Sequence, residues 1–562
     1  MNKLKAMVKL VLSVSTLNLT LSACFLDNGG KHQPVPREDP GGTTYQEIGL
    51  SRYPSPVELT FIRETGDELD NLIAQLPGES LEDNRWTRLY ERELGIKIKY
   101  DWTAKGELFY QKLGVAVASG NIPEVVRVNA QQLRQLYNAG KIQDLTAIYD
   151  QYATSFTKKT LSQEGNGPFE AATLEGKLMG IPDTSSSIEG ANFLWIRTDW
   201  LDALGLQPPK TMADVLAISK AFTEKDPDRN GKNDTYGLGA TSYLFDPVAG
   251  ISGFMAGYKA YPNLWLKDDS GKLVFGGIQP EVKTALKDLQ NLYRDGQIDS
   301  EFAIKDGSKV QKDVHAGKIG MLYGQQWSSF WVQGSRERNP NAQWQAFPIV
   351  SVTGEPAMVP LPFSTSQFYA VRNDYDHPEA IVKLINLHLE KNWGATADYN
   401  TYYSNPLPVW KLSPVTPFPA KKNLDAYRQL DEARRTGDDS VLKDEAKAIQ
   451  KDIETYLSGG DDQMTGWGWE RTYGPSGAFA VLDQYERSNQ LLYESFVGGP
   501  TATMIEKQSI LDNLLLDTYN KIILGRPIDD FDRFVDEWRR AGGDQITAEV
   551  NQWYAGQGSQ TE

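Results

Sequence analysis

The order of elements predicts an α/β protein. Three observations carry this. Strand, helix and strand alternate early in the chain, as βαβ units with a mostly parallel sheet do. Hydrophobic residues make up 40% and charged residues 23%, near the globular average. The 562 residues are enough for about three domains, or two large lobes.

Residues 57–63 (VELTFIR) predict a first strand and residues 82–93 a helix, which Gly95 ends. Ile96, Ile98, Tyr100 and Trp102 then alternate with polar residues, the period of a half-buried strand. Residues 107–118 predict a helix and 123–128 another strand. Further on, Pro280 opens a helix carrying Val282, Leu286, Leu289 and Leu292 on one face, closed by Gly296. Residues 318–323 and 367–372 predict strands. Phe531, Phe534, Val535 and Trp538 share one helix face, stopped by Gly542; Ile546, Val550 and Trp553 share the next. These stripes read as core. No internal repeat is present.

The N-terminus reads as an address. Lys3, Lys5 and Lys9 precede the apolar run 10–21, which is too short to span a bilayer. Leu21-Ser22-Ala23-Cys24 follows, and Cys24 is the only cysteine of the chain. Residues 1–23 are expected to be a lipoprotein signal peptide, with Cys24 lipidated as the mature N-terminus; an ordinary signal peptide is the plainer alternative. Two or more acyl chains are what stable anchoring needs. Residues 24–56, rich in Gly, Pro and charge, read as a flexible tether. The expected location is the extracellular face of the cell membrane, held by the anchor alone.

Several function classes are disfavoured. The net charge is −16, and removal of the first 23 residues makes it more negative by three. Such a surface repels phosphate backbones, so no nucleic-acid partner is expected. One Cys and four scattered His (His32, His315, His377, His388) offer no zinc spacing. No G-x-S-x-G elbow, phosphate loop or G-x-G-x-x-G fingerprint occurs. The chain therefore reads as a binder and not an enzyme. A surface glycan-degrading hydrolase or lyase stays open, because convergent carboxylates are invisible in sequence. A lipid-anchored peptide receptor is a third reading.

One motif points to a metal. From Asp226 to Gly237, oxygen side chains fall at positions 1, 3, 5 and 9 of a calcium-type loop, with Gly231 at position 6. Alternate residues can thus supply hard oxygen ligands around a sharp turn. Asp226, Asp228, Asn230, the Lys232 carbonyl and Asp234 are the expected ligands of a structural calcium. Gly237 replaces the usual bidentate Glu. The alternative is a polar surface turn.

Several stretches resemble the bacterial extracellular solute-binding proteins of family 1, the lipoproteins of sugar ABC importers, and above all their LplA-type members. They are Tyr110 to Leu113, Ala118 to Glu124, Gly140 to Thr146, Gly176 to Pro182, Leu194 to Leu201, and Gly317 to Met321 before Trp327. Thr503 to Lys507 and Gly542 to Thr547 add to them. The calcium-type loop is similar to one in alginate-binding relatives, although Thr235 stands where they carry an acid.

The resemblance implies a two-lobed periplasmic-binding-protein type II fold with a hinge and an interlobe cleft. Lobe one would hold residues 50–182 with 345–390, and lobe two residues 186–342 with 391–555, with hinges near Pro182 and Pro348. It implies a monomer that captures an oligosaccharide and delivers it to ABC permease subunits. Aromatic rings suit sugar faces, and polar groups suit the hydroxyl edges. The candidate ligand-binding residues are Trp327, Trp467, Trp469, Asn129, Asp183 and Trp102. The glycines around Trp467 and Trp469 are expected to expose both rings. Trp102 reads equally as core, and Trp327 as a lobe-packing residue.

Overall fold

A computed structural model of the protein describes residues 47–404, 407–459 and 463–558. The expected signal peptide, Cys24 and most of the expected tether lie outside the described residues. The tether is shorter than expected. Ile48–Leu50 form a helical turn. Lys383 Nζ donates to the carbonyls of Ile48 and Ser51, each at 2.8 Å. Gly49 lies against the Tyr152 carbonyl, where a Cβ would collide.

The described chain builds two hydrophobic cores. The first gathers residues 59–181 with 368–415. Val57–Thr65 pairs parallel with Ile96–Lys105. Between them runs the helix Arg85–Leu94, capped by Asn84, whose side chain accepts from the Trp86 and Thr87 amides. Gly95 closes it with φ +72°. Trp86 is fully buried beside Tyr90 and His388. A second sheet orders Val125–Val128, Phe368–Val371 and Ile181–Pro182, with Phe368–Val371 antiparallel to both neighbours.

The second core gathers residues 188–361 with 424–550. Its sheet orders Trp344–Phe347, Phe193–Arg197, Ile319–Gly324 and Tyr236–Leu238. The first two pairings are antiparallel and the last is parallel. The sheets are therefore not mostly parallel: in lobe one Phe368–Val371, on the chain returning from lobe two, runs against both neighbours, and in lobe two Phe193–Arg197 runs against both of its own. Trp195, Trp200, Trp344 and Trp467 are all buried in this core.

Two expected lobe boundaries are corrected. Residues 344–361 belong with the second core, because Trp344–Phe347 pairs with Phe193–Arg197. Pro348 therefore lies within the second core, and the second crossing follows Leu361. Residues 393–415 belong with the first core, where Val409, Leu412 and Val415 are buried and Arg63 donates to the Ser413 carbonyl at 2.6 Å. The third crossing follows Val415. The crossings are laced together by hydrogen bonds. Asp183 N donates to Gln367 O at 2.9 Å, Phe418 N to Thr184 O at 2.9 Å, and Thr184 Oγ1 to Phe418 O at 2.8 Å. Ser186 also donates to the Ala420 carbonyl.

Candidate functional site

A cavity of about 560 Å³ lies beside the crossings, on the lobe-two side. The first crossing supplies Ser186, Ser187 and Glu189, and the second supplies Pro362 to Ser364. Lobe-two loops supply Phe245, Asp246, Tyr261 and Asn263. The strand Ile319–Gly324, buried at every position, ends at the cavity and hands over to Gln325, Gln326 and Trp327. Gly324 packs against Ser328, and a Cβ there would collide with the hydroxyl.

Trp327 stays 36% exposed, its Nε1 donating to Gln325 Oε1 at 2.9 Å. Gln326 is buried, and its Nε2 donates to Glu189 Oε2 at 3.0 Å. Its Oε1 has no partner among the described residues, a cost unless a ligand or water donates to it. Asn423 Nδ2 donates to the other Glu189 oxygen at 2.6 Å. Burial raises the Glu189 carboxyl, and Lys422 opposes this.

A second cavity of about 760 Å³ shares Phe245, Asn263 and Phe363 with the first, so the two are neighbours. Tyr243, Trp265, Phe496, Gln508 and Asp512 extend its walls. Glu494 accepts from the backbone amides of Trp265 at 3.0 Å and Phe363 at 3.4 Å. Burial pushes its carboxyl up to about 7, against the pull of those amides.

Lobe one has its own cavity of about 260 Å³ at the ends of Val57–Thr65 and Val125–Val128, where open α/β sheets place ligands. Tyr110, 54% exposed, donates to Glu64 Oε2 at 2.8 Å there. Asn129 lines this cavity, but its Oδ1 accepts from Gln132 N at 2.9 Å and so caps the helix Ala130–Asn138. Asp183 is buried, and Arg127 Nε donates to its Oδ2 at 2.7 Å. Burial raises the Asp183 carboxyl while Arg127 lowers it.

The other candidates sit elsewhere. Trp102 is half-buried, 5.5 Å from the Phe109 ring with Lys112 Nζ 4.2 Å above it, and does not line the lobe-one cavity. The expected exposure of both Trp467 and Trp469 is corrected. They lie on one helix, Gln463–Tyr473. Trp467 is fully buried beneath Arg336 and Arg471, and Trp469 meets Phe330 edge-on at 5.0 Å. Gly466 and Gly468 let that helix approach Tyr456 and Phe330 closely, instead of baring the rings. Glu189, Gln326, Phe245, Asn263 and Phe363 were not anticipated. Only Gln326, next to Trp327, carried a local signal.

The calcium-type loop joins the helix Met212–Glu224 to the strand Tyr236–Leu238. Asn230 Nδ2 donates to Asp228 Oδ2 at 2.8 Å and Asp234 Oδ1 at 3.0 Å. Asp226 accepts the Asn230 and Gly231 amides, each at 3.0 Å. The Asp228 and Asp234 oxygens thus converge on one donor, and the chemistry of the oxygen set suits a hard cation. Among the described residues, however, no three or more His, Cys, Asp or Glu are gathered as a metal site. Thr235 is buried and donates to the Phe222 carbonyl at 2.7 Å, so it supplies no sixth ligand.

Residues 67–400 match the family described as bacterial extracellular solute-binding protein. Lipoprotein LipO of Bacillus subtilis (strain 168) is 25% identical over 482 residues, covering 83% of this chain and 87% of LipO. The polygalacturonan/rhamnogalacturonan-binding protein YtcQ of the same organism is 30% identical over 214 residues, 38% of this chain and 41% of YtcQ. The fructooligosaccharide ABC transporter substrate-binding protein FusA of Streptococcus pneumoniae is 27% identical over 263 residues, 44% of this chain and 47% of FusA. FusA has been solved with kestose and, as an EF-hand mutant, with fructo-nystose. Each structure aligns with 90% of this chain and all of FusA, at TM-score 0.52 and 16% identity, a likeness of fold. With a matched segment that spans more than half of its length and this two-lobed α/β fold, the chain belongs to the bacterial extracellular solute-binding protein family.

Proposed function

We propose that this protein is the substrate-capturing lipoprotein of a carbohydrate ABC importer. It holds an oligosaccharide between its lobes and passes it, chemically unchanged, to a permease pair. The observation that carries this reading is the cavity beside the crossings, where the exposed Trp327 ring adjoins the unpartnered Gln326 acceptor. A ring takes the apolar face of a sugar, and an acceptor takes its hydroxyl. Ligand that touches both lobes favours the closed form, which the permease then reads. The names of FusA and YtcQ support a saccharide ligand. A lipid on Cys24 would tether the monomer to the extracellular face of the membrane. A calcium held by Asp226, Asp228, Asn230, the Lys232 carbonyl and Asp234 would brace the loop; the EF-hand of FusA supports that reading.

A glycan-degrading enzyme is the weaker reading. The Glu189 carboxyl is raised, as a general acid needs, but both its oxygens are already engaged by Asn423 and Gln326. A thermal-shift screen over oligosaccharides, run beside a reducing-end assay, separates the two. Stabilisation without new reducing ends supports capture, whereas turnover overturns it.

A further inference from the structure

Taking the saccharide-receptor reading as its basis, we infer that the ligand is a long oligosaccharide free of acidic groups, laid along both lobe-two cavities. Two observations converge on this. The first is length. The cavities measure about 560 and 760 Å³ and adjoin at Phe245, Asn263 and Phe363, which line both. Either one falls within the ~300–1,000 Å³ of a complete small-molecule site. A single sugar would leave most of the two adjoining cavities to water. Aromatic surface continues beyond the junction, with Tyr243 at 54% exposure on the wall of the second cavity only.

The second observation is charge. Among the described residues, neither cavity has a Lys, Arg or His on its wall. The ionisable groups there are Glu189, Asp246, Glu494, Asp512 and tyrosines. Glu189 and Glu494 already accept hydrogen bonds from the protein, and Asp512 accepts one from Gln508 at 2.8 Å. The buried Gln326 Oε1 is an acceptor with no partner among the described residues. Carboxylates share these walls with Asn, Gln, Ser and Tyr side chains, and sugar hydroxyls, which both donate and accept, suit such a lining. A uronate carboxylate brings no donor and would sit among acids without a counter-charge.

The arginines of the lobe-one cavity do not reverse this. Arg127 is paired with Asp183, and Arg63 donates to the Ser413 and Lys411 carbonyls. Arg127 stays half exposed, but Asp183 already balances its charge, so closure would add no net positive charge there.

Isothermal titration of the mature protein tests the inference. The probes are neutral gluco-, xylo-, galacto- and fructo-oligosaccharides of about two to eight units, with oligogalacturonates of matched length. In the best neutral series, affinity should rise at least ~10-fold from the shortest chain to one that fills both cavities. Tyr243→Ala should remove most of that gain while leaving the shortest ligand within about twofold. Oligogalacturonates should bind at least ~100-fold more weakly than neutral chains of equal length. Affinity that stops rising at two units, equal loss of short and long ligands in Tyr243→Ala, or oligogalacturonates that bind as well as neutral chains would each overturn the inference alone. Heat on no glycan, with Tm unmoved throughout the panel, would overturn the saccharide reading and this inference with it.

Discussion

Trp327→Ala probes the sugar-stacking role with least damage to the fold. The ring keeps 36% of its surface exposed. A tryptophan can bury up to ~250 Å², so roughly 90 Å² is open to a sugar face. Covering that area at about 25 cal/mol per Å² contributes ~2 kcal/mol. A sugar that covers half of it still gains about 1 kcal/mol, so Kd should rise by ~5- to 30-fold in the variant. The fold should hardly notice. The one hydrogen bond lost, to Gln325, is at the surface, and such losses stay at about 1 kcal/mol or less. The assay pairs isothermal titration, using the tightest oligosaccharide found, with a thermal melt of the free protein. Weaker binding at nearly constant Tm is the expected result. Unchanged affinity at constant Tm would refute the stacking role, and a large loss of Tm would mean that the ring packs the lobe instead.

Trp467→Ala should behave in the opposite way: its ring is fully buried, so stability should fall by about 3–5 kcal/mol, read by denaturant melts. Glu494→Gln should change the pH dependence of stability. The folded carboxyl holds its proton up to about 7 and the ordinary one only to 4.5, so wild-type stability falls as pH rises through that window. The slope is at most about 1.4 kcal/mol per pH unit, and the variant should flatten it; equal slopes in melts at several pH values would contradict this. Chelation should lower Tm, because calcium at 100 times its Kd adds about 2.7 kcal/mol, and Asp228→Ala should abolish the difference. Identical melts of the wild type with and without chelator would remove calcium from the account.

Local signals in the sequence reported local structure well. Asn84 and Gly95 bracket the helix Arg85–Leu94 as capping chemistry requires. The apolar stripe after Pro280 became the helix Pro280–Arg294, with Val282, Leu286, Leu289 and Leu292 buried. Long-range pairing was less legible. Nothing near Trp344 says that its strand partner is Phe193–Arg197, well over a hundred residues earlier, so the second crossing was placed too soon. The Gly-Trp-Gly-Trp stretch misled for a related reason. Alternating glycines suggest exposed rings until Tyr456 and Phe330 are seen to fill the space the glycines leave. The candidate site shows the same limit. Trp327 follows a readable strand, whereas Glu189, Asn263 and Phe363 meet it only because the chain crosses between lobes.

The crystal structure of the protein with its tightest-binding oligosaccharide tests capture between the lobes most directly. The account predicts an intact glycan with one ring on Trp327, a hydroxyl donating to Gln326 Oε1, and lobe one closed upon it. Cleaved sugar in the groove, or glycan bound away from Trp327 and the crossings, would contradict it.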